Sequence, residues 1–268
     1  MRLELLISAL KADPDSLIKT MGVTGDAVLI NQCDCDSYCE IPASGYGNVR
    51  VFSCTDRGVG TSRNKALSEA HGDILLFSDD DIVYEAGYEE LILAEFNAHP
   101  EADGIFFNVD VDPSRRTYHT DVFGPVTMRA SGRYPTYSLA IKRDAVKRSG
   151  VKFSTLFGGG ARYSCGEDSL FIVDCLKSGL KLFKSPVLIG REVPRESTWF
   201  KGYTEKFFFD RGVLYHFLYG KLAYPLGVRF ILKHKSEMCQ TVSPKQAIKL
   251  IRSGIKEGRE VEKKEGRI

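Results

Sequence analysis

The chain of 268 residues is long enough for one large α/β domain, or for one domain with an appendage. Its composition, 43% hydrophobic and 27% charged, is ordinary for a globular protein. No stretch approaches the roughly 20 apolar residues of a membrane-spanning helix, and the short apolar start, interrupted by Glu4, is not typical of a secretory signal. We therefore expect a cytoplasmic protein whose seven cysteines are reduced.

The formal net charge of +2 hides an asymmetry between two parts of the chain. Residues 201–268 contain 15 Lys/Arg and 7 Asp/Glu, a net charge of +8, so residues 1–200 carry −6. A basic C-terminal part could meet a membrane surface, an anionic lipid carrier or nucleic acid, or it could be only a solvated helix face. Peripheral contact with the inner face of the cell membrane is left open, and no nucleic-acid partner is expected.

The first half of the chain alternates predicted strands with predicted helices. Strands are predicted at Leu3–Ile7, Asp26–Asn31 and Val49–Ser53. A helix opens at Asp13-Pro14, where Asp suits the helix cap and Pro suits the first turn. A loop is predicted at Ile41–Asn48. Strands and helices that alternate at this short spacing predict parallel βαβ units.

The second strand ends in four polar residues, Asn31, Gln32, Cys33 and Asp34. Their amide and carboxylate groups could bind a base or a ribose, or they could end the strand as turn residues. Cys33, Cys35 and Cys39 lie close together, but their spacing matches no common zinc pattern and no histidine is near. Ordinary buried or loop thiols are therefore favoured over a zinc site.

A glycine-containing segment, Arg57–Asn64, runs from the third strand into a helix predicted at Lys65–Ala70. This order resembles a phosphate-binding turn, in which the amides at a helix N-terminus attract anions. It does not fit the dinucleotide fingerprint, because Arg63 stands where the third glycine should be. Arg57, Arg63 and Asn64 are candidates to bind a diphosphate or a base, although Arg63 could simply pair with one of the aspartates that follow in the sequence.

Three consecutive aspartates follow an apolar run at Ile74–Phe77. This run predicts a strand buried on both faces of a parallel sheet, which delivers Asp79, Asp80 and Asp81 to the edge where α/β sheets bind ligands. If the strand continues through them, Asp79 and Asp81 share a face and Asp80 points away. Two convergent carboxylates suit Mg²⁺ or Mn²⁺, whereas the other interpretation is a solvated acidic turn. No Walker A sequence occurs, which excludes a P-loop NTPase.

The remaining elements are predicted with less distinctive patterns. A helix is predicted at Tyr84–Ala98. Further strands are predicted at Gly104–Val111, Val126–Arg129, Pro135–Lys142, Lys181–Phe183 and Val187–Ile189. Helices between residues 202 and 254 interleave aromatic and basic residues, and the charged tail Gly258–Ile268 is expected to fray.

A second acidic pair, Glu167-Asp168, comes after the glycines of Phe157–Ala161 and opens a helix with apolar residues at helical spacing. Acidic residues in the first turn of a helix complement its dipole, which is one explanation of the pair. The other explanation is a general base enclosed in a cleft.

Three stretches taken together resemble family 2 glycosyltransferases of the GT-A fold. Gly58–Leu67 is similar to the family's segment of glycine, Arg-Asn and Ala/Leu, and Gly72–Asp81 is similar to its run of Gly-Asp, four apolar residues and Asp-x-Asp. Gly166-Glu167-Asp168 resembles its Glu-Asp catalytic motif. Two further stretches, Phe157–Phe171 and Ser197–Gly212, resemble transferases of bacterial capsule, exopolysaccharide or lipopolysaccharide synthesis.

The resemblance implies an α/β fold for residues 1–200, with a Rossmann-like, mostly parallel central sheet flanked by helices. Residues 201–268 would form a basic, aromatic-rich helical extension. The implied reaction is an inverting transfer of one sugar from a nucleotide-diphosphate sugar, usually a UDP-sugar. The acceptor would be a hydroxyl of a saccharide or a lipid-linked saccharide.

The resemblance also implies roles for single residues. Asp79 and Asp81 would hold Mg²⁺ or Mn²⁺ against the diphosphate, although Asp79 could instead contact the ribose. Asp168 would deprotonate the acceptor hydroxyl, with Glu167 orienting it. The residues implied in nucleotide-sugar binding are Asn31, Gln32, Asp34, Arg57, Arg63, Asn64, Asp79 and Asp80.

The first two strands end differently from the family's pattern. Ile7–Leu10 stands where Pro-Thr-Tyr-Asn is usual, and Asn31–Asp34 stands where Asp-Asp-Gly-Ser is usual. A degenerate transferase that acts as a non-catalytic binding or scaffold subunit is therefore an alternative. A sugar nucleotidyltransferase is another, but it would need a glycine-rich loop after the first strand, and Ala9–Asp15 has no glycine.

Overall fold

The computed structural model of the chain describes residues 1–194, 200 and 202–266. The chain divides into two compact units, of which the first comprises Met1–Phe153 and Phe171–Arg195 and the second comprises Ser154–Leu170 and Glu196–Ile268. Residues 154–170 thus cluster with the C-terminal part, whereas the sequence suggested a division at residue 200. In the stretch Ser197–Gly212, which carried part of the resemblance, residues 197–199 and 201 lie outside the described residues.

The first unit is built on a central sheet, which has ten strands within the described residues. They are β1 (Leu3–Leu10), β2 (Ala27–Gln32), β3 (Ser37–Pro42), β4 (Asn48–Cys54), β5 (Ile74–Asp79), β6 (Ile82–Tyr84), β7 (Gly104–Asp110), β8 (Gly124–Pro125), β9 (Leu139–Lys142) and β10 (Leu182–Glu192). Their order is β3-β4-β2-β1-β5-β9-β7-β10-β6, and β8 pairs with β10. Strands β4, β2, β1 and β5 pair in parallel, as do β7 and β10, while β9 runs antiparallel between the two sets. The predicted α/β class with a mostly parallel central sheet is confirmed.

The apolar strands supply the core on both faces of the sheet. On β5, Ile74 and Leu76 pack into one apolar layer, whereas Leu75 and Phe77 pack into the other. Successive side chains of a strand point to opposite faces, so one continuous apolar run serves two layers. The helices of this unit are α1 (Pro14–Met21), α2 (Val59–Glu69), α3 (Tyr88–Ala98), α4 (Arg143–Ser149) and the later part of α5 (Glu167–Lys177).

Two elements near the aspartates differ from the sequence predictions. The helix predicted at Tyr84–Ala98 begins only at Tyr88, because Ile82–Tyr84 forms β6 and pairs with β10, and Gly87 has a positive φ of +80°. The edge strand β3 overlaps the start of the predicted loop, and its largely exposed residues give no apolar alternation that could have indicated it.

Strand predictions in the second half of this unit are corrected in three places. Lys181–Phe183 and Val187–Ile189 belong to one strand, β10, whose register with β7 shifts after Lys184. Met128–Arg133 forms a 3₁₀ turn instead of continuing the predicted strand, and the strand predicted from Pro135 starts only at Leu139. Prolines and a bulge interrupt the alternation of side chains at these sites, so the sequence does not show where the strands begin and end.

The second unit contains three long helices, α6 (Glu205–Tyr219), α7 (Ala223–Met238) and α8 (Pro244–Glu265). Helix α8 continues to Glu265, so the prediction of a frayed tail from Gly258 is wrong over the described residues. Buried Gly258 and Val261 explain the difference, because they extend the packed face of α8 beyond the point where the sequence turns highly charged. None of the described helices combines the length and the apolarity needed to cross a lipid bilayer.

Candidate active site

The carboxyl ends of four parallel strands meet at one edge of the first unit's sheet. Strand β1 lies between β2 and β5, and Ser8 of β1 stands opposite Asp79 of β5. The chain leaves β1 toward β2 on one side and later returns to β5 on the other. This reversal of strand order is the position where open α/β sheets bind ligands in a crevice.

A buried arginine pairs with the first aspartate at this edge. Arg63 lies in α2, and its Nη2 atom is 3.0 Å from Oδ1 of Asp79. The Arg63 side chain is only 4% exposed, whereas Asp79 is 32% exposed. The guanidinium also lies over the Phe153 ring, 5.4 Å from its centroid. Arg63 therefore pairs with Asp79, as one of its two interpretations predicted. The pair holds Asp79 at the edge of the sheet.

Asp80 and Asp81 lie in the turn that joins β5 to β6. Because β5 ends at Asp79, strand alternation does not set the directions of Asp79 and Asp81, as the sequence had suggested. All three carboxylates are partly exposed. The Asp81 carbonyl accepts a hydrogen bond from the Val193 N–H at 2.8 Å, which ties the turn to the chain just after β10.

The donor chemistry of this turn fits a hard divalent cation. Consecutive carboxylates offer the oxygen ligands that Mg²⁺ and Mn²⁺ prefer. Within the described part of the chain, no three Asp, Glu, His or Cys side chains converge into a complete metal cluster. Mg²⁺ is commonly bound by one or two carboxylates with substrate phosphates and water, so the residues present fit that mode of binding.

Two residues predicted to bind the nucleoside form side-chain hydrogen bonds with backbone groups. Asn31 accepts a hydrogen bond from the Ala12 N–H at 3.0 Å and donates one to the Ala12 carbonyl at 2.9 Å. The Gln32 side-chain oxygen accepts from the N–H of Gly58 at 2.8 Å, where Gly58 has a φ of +113° and precedes α2. Both side chains are buried. These bonds fit the alternative in which the polar strand end shapes the turns around it.

Arg57 and Asp34 form an exposed link between two loops at the same edge. Arg57 Nη2 lies 2.9 Å from Asp34 Oδ1, and Nη1 donates to the carbonyls of Cys33 and Thr55 at 2.8 and 2.9 Å. Asp34 also pairs with Lys11 at 2.7 Å. The hydrogen bond from Lys11 is the main reason that the pKa of Asp34 lies below its ordinary value.

Two thiols beside Asp34 contact each other. The sulfur atoms of Cys33 and Cys35 are 3.9 Å apart, and a backbone hydrogen bond at Cys35 is the main cause that lowers the pKa of Cys33. All seven cysteines are free.

Asn64 joins α2 to a residue far along the chain. Its Nδ2 atom donates to the Phe153 carbonyl and its Oδ1 atom accepts from the Phe153 N–H, both at 2.8 Å. Ser62 on the same helix bonds Ser8 of β1 through their hydroxyls at 2.9 Å. The sequence did not indicate the Asn64–Phe153 and Ser62–Ser8 contacts. Each contact joins residues at least 54 positions apart, and neither belongs to a recognisable motif.

The predicted catalytic pair belongs to the second unit, at the start of α5. Glu167 is buried, and its Oε2 accepts from the Gly166 N–H at 3.1 Å. Asp168 is partly exposed. Gly166 has a φ of +122°, and a Cβ there would lie 2.5 Å from a Leu214 methyl carbon, so only glycine fits before the acidic pair.

The second unit also has an open pocket of about 470 Å³, and four of the charged residues that line it form two ion pairs. Asp210 is buried and accepts bonds from the Ser164 N–H and hydroxyl at 2.9 and 2.8 Å. Lys206 pairs with Asp210 at 2.6 Å, and Arg162 pairs with Glu257 at 2.6 Å. The bonds from Ser164 to Asp210 and the Arg162–Glu257 pair hold the loop before α5 against helices of the same unit.

A known sequence family matches the part of the chain that contains Arg63 and the three aspartates. Residues 33–157, just under half of the chain, match the sequence profile of the family described as Glycosyl transferase family 2. The profile thus matches the segment that contains the Arg-Asn and triple-aspartate motifs. The predicted enzyme class, a glycosyltransferase, is confirmed. No curated protein sequence matches the chain.

Solved structures show the same fold at low sequence identity. S. aureus TarS 1–349, in complex with UDP-GlcNAc, has a TM-score of 0.66 at 14% identity over 96% of this chain and 81% of its own. The mannosyltransferase PcManGT from Pyrobaculum calidifontis, in complex with GDP-Man and Mn²⁺, has a TM-score of 0.53 at 14% identity over 97% of this chain and 75% of its own. The predicted GT-A fold is confirmed by this likeness.

Proposed function

We propose that the glycosyltransferase transfers one sugar, with inversion, from a nucleotide-diphosphate sugar to a hydroxyl of a saccharide or lipid-linked saccharide. The observation that carries this proposal is the Arg63–Asp79 pair at the reversal of strand order, followed at once by Asp80 and Asp81. These four residues lie within residues 33–157, the stretch that matches the transferase family.

We propose a UDP-sugar as the donor. TarS has been solved with UDP-GlcNAc and the archaeal mannosyltransferase with GDP-Man, so a uracil or a guanine nucleotide is compatible with the fold. Asp79, Asp80, Arg57 and Arg63 are proposed to contact the nucleotide directly. The bonds that Asn31, Gln32 and Asn64 make to backbone groups support a positioning role for them, in which they shape the turns around the donor.

Asp81, with Asp79, is proposed to hold Mn²⁺ or Mg²⁺. A divalent cation there would neutralise charge on the diphosphate as it leaves. Arg63 stays on Asp79 in this proposal, so the ion pair keeps that carboxylate correctly directed.

Asp168 is proposed as the general base. It would take the proton of the acceptor hydroxyl while the acceptor oxygen bonds to the anomeric carbon and the bond from that carbon to the diphosphate breaks. Glu167, held by the Gly166 N–H, is proposed to orient Asp168. We further propose that the reaction belongs to the synthesis of a cell-surface polysaccharide at the inner face of the cell membrane.

The proposed donor site can be tested by thermal unfolding with UDP, GDP, CMP and ADP, each with and without Mn²⁺. UDP with Mn²⁺ at about 100 times its dissociation constant should add about 2.7 kcal/mol. For a chain of this size, that corresponds to a rise in Tm of roughly 5–10 °C. Asp81→Ala should lose the part of the shift that depends on Mn²⁺.

Asp121→Ala is the matched control, because this carboxylate is 92% exposed on another loop of the same unit. The control should keep the full shift. If no nucleotide raises the Tm under any of these conditions, donor binding is absent, and the non-catalytic scaffold becomes the better description.

A further inference from the structure

Helix α8 separates its packed face sharply from its outer face. Its buried residues are Ala247, Ile251, Gly254, Ile255, Gly258 and Val261. A Cβ on Gly254 would lie 2.0 Å from the Phe209 carbonyl oxygen of α6, so the two helices approach each other closely. The packing therefore fixes which side of α8 faces outward.

The outer face carries a continuous row of cations, which we name the basic stripe. Its members are Lys245, Lys249, Arg252, Lys256, Arg259 and Lys263, all of them exposed. They are spaced alternately by four and three residues. At 100° per residue they fall within an arc of about 80°, and at 1.5 Å per residue the row is about 27 Å long.

The acidic residues of α8 leave the basic stripe with a net positive charge, because two of them pair elsewhere and only Glu260 lies beside the stripe. Glu257 pairs with Arg162 at 2.6 Å and Glu262 with His216 at 2.8 Å, both inside the second unit. Among the described residues, the six cations of the stripe make no ion pair. Glu260 stands four residues after Lys256 and three before Lys263, but no ion pair joins it to either among the described residues, so the six cations face a single carboxylate along this side of the helix.

The same unit exposes several large apolar side chains. Leu222 is 62% exposed, Leu232 is 56%, Tyr224 is 44% and Tyr219 is 39%. These residues lie at the end of α6 and along α7, with Lys221, Arg229 and Lys233 close to them in the sequence. Leucine and tyrosine beside lysine and arginine are the composition of protein surfaces that lie on a bilayer.

We propose that the basic stripe of α8 binds the anionic surface of a phospholipid membrane. A straight row of six cations matches a plane of lipid phosphates, and each cation near such a surface strengthens binding by about fivefold. The exposed leucines favour lipid over nucleic acid, because phosphate and sugar offer no apolar phase to receive them. This inference assigns a binding surface to the membrane location proposed above, and it does not depend on sugar transfer, since no donor or metal takes part.

The test is co-sedimentation of the full-length chain with phosphatidylcholine vesicles, with and without phosphatidylglycerol. The test variant replaces four cations of the stripe by glutamine, as Lys249→Gln, Arg252→Gln, Lys256→Gln and Arg259→Gln. Glutamine keeps the helix propensity of the site. The wild type should bind anionic vesicles and release them at high salt, and the variant should bind about 600-fold more weakly at low salt, at about fivefold per cation.

The matched control removes the same charge from the first unit, as Lys19→Gln, Arg116→Gln, Lys147→Gln and Lys181→Gln, all exposed positions. The control should bind anionic vesicles within about threefold of the wild type if the effect belongs to the stripe and not to net charge. Equal loss in both variants, binding to neutral vesicles alone, or tight binding to RNA with none to vesicles would overturn the proposal. Nucleotide-dependent thermal shifts, measured in parallel, separate this outcome from a failure of the proposed transfer.

Discussion

At the residue scale, the site is defined by the partners of its charged groups. Arg63 is almost fully buried, and its ion pair with Asp79 joins α2 to the end of β5. A buried cation keeps a neighbouring carboxylate ionised, which is the state that a metal or a ribose hydroxyl requires. Asp80 and Asp81 lie beyond the strand and stay partly exposed, so they are accessible to a ligand.

The proposed base can be tested with Asp168→Asn, which keeps the shape and removes the proton acceptor. We expect kcat to fall by about 10²–10⁴-fold, the usual contribution of a general base. Donor binding should be unchanged, because the base acts on the acceptor hydroxyl in the transition state. Product formation by chromatography, together with the UDP thermal shift, measures the two effects separately.

Asp144→Asn on α4 is the control for this variant, because its carboxylate is exposed and lies outside the proposed site. It should keep wild-type turnover. Turnover by Asp168→Asn at the wild-type rate would show that another group takes the proton.

At the element scale, α2 is held in place by polar contacts along its first two turns. Gln32 bonds the N–H of Gly58 before the helix, and Ser62, Arg63 and Asn64 bond Ser8, Asp79 and Phe153 in turn. Three successive residues thus reach three other parts of the first unit. The position of the helix relative to the strand ends is set by these bonds, in addition to the burial of Ala66.

Asn64→Ala should lower the free energy of unfolding by about 2 kcal/mol, because it leaves both the N–H and the carbonyl of Phe153 without their partner. The Tm should fall by roughly 4–8 °C for a chain of this size. Chemical denaturation followed by circular dichroism measures the change in free energy.

Asn97→Ala is the matched control, since this asparagine is exposed on α3. It should change stability by less than about 0.5 kcal/mol. An equal effect of the two substitutions would mean that the bonds to Phe153 do not contribute to the free energy of unfolding.

At the scale of the whole molecule, residues 154–170 cluster with the C-terminal part of the chain. Phe157, Tyr163 and Leu170 are at most 3% exposed, and they pack with Val213, Leu214 and Phe217 inside the second unit. The loop that contains the Gly158–Gly160 run and the start of α5 is therefore completed by residues from beyond position 200. Residues 1–200, the predicted catalytic domain, lack part of that core.

A chain that ends at residue 200 should therefore be poorly soluble and should bind a dye specific for exposed apolar surface. Exposing Phe157, Tyr163 and Leu170 costs about 6 kcal/mol in total at about 2 kcal/mol each, which is comparable with the net stability of many domains. Soluble yield and dye fluorescence are measured against a chain that ends after Glu265, which keeps all of α8. A monodisperse chain of residues 1–200 with the full-length Tm would support the predicted domain boundary at residue 200.

The sequence by itself determined the class of fold and the position of the acidic turn. The run Ile74–Phe77 is apolar at every position, and burial on both faces of a sheet is the arrangement that suits such a run. The order of the glycine, Arg-Asn and triple-aspartate segments was sufficient to indicate the family that the sequence profile also matches. These are local patterns, and local patterns are what a single sequence records most directly.

The tertiary structure decided the partners of the polar side chains and the ends of several elements. Asn31, Gln32 and Asn64 carry the residue types of a ligand site, but their bonds go to backbone groups 19, 26 and 89 positions away. The start of α3 depends on the pairing of β6 with β10, and the length of α8 depends on its packing against α6. Contacts of this range follow from how the strands and helices assemble, and neither periodicity nor residue type specifies them in advance.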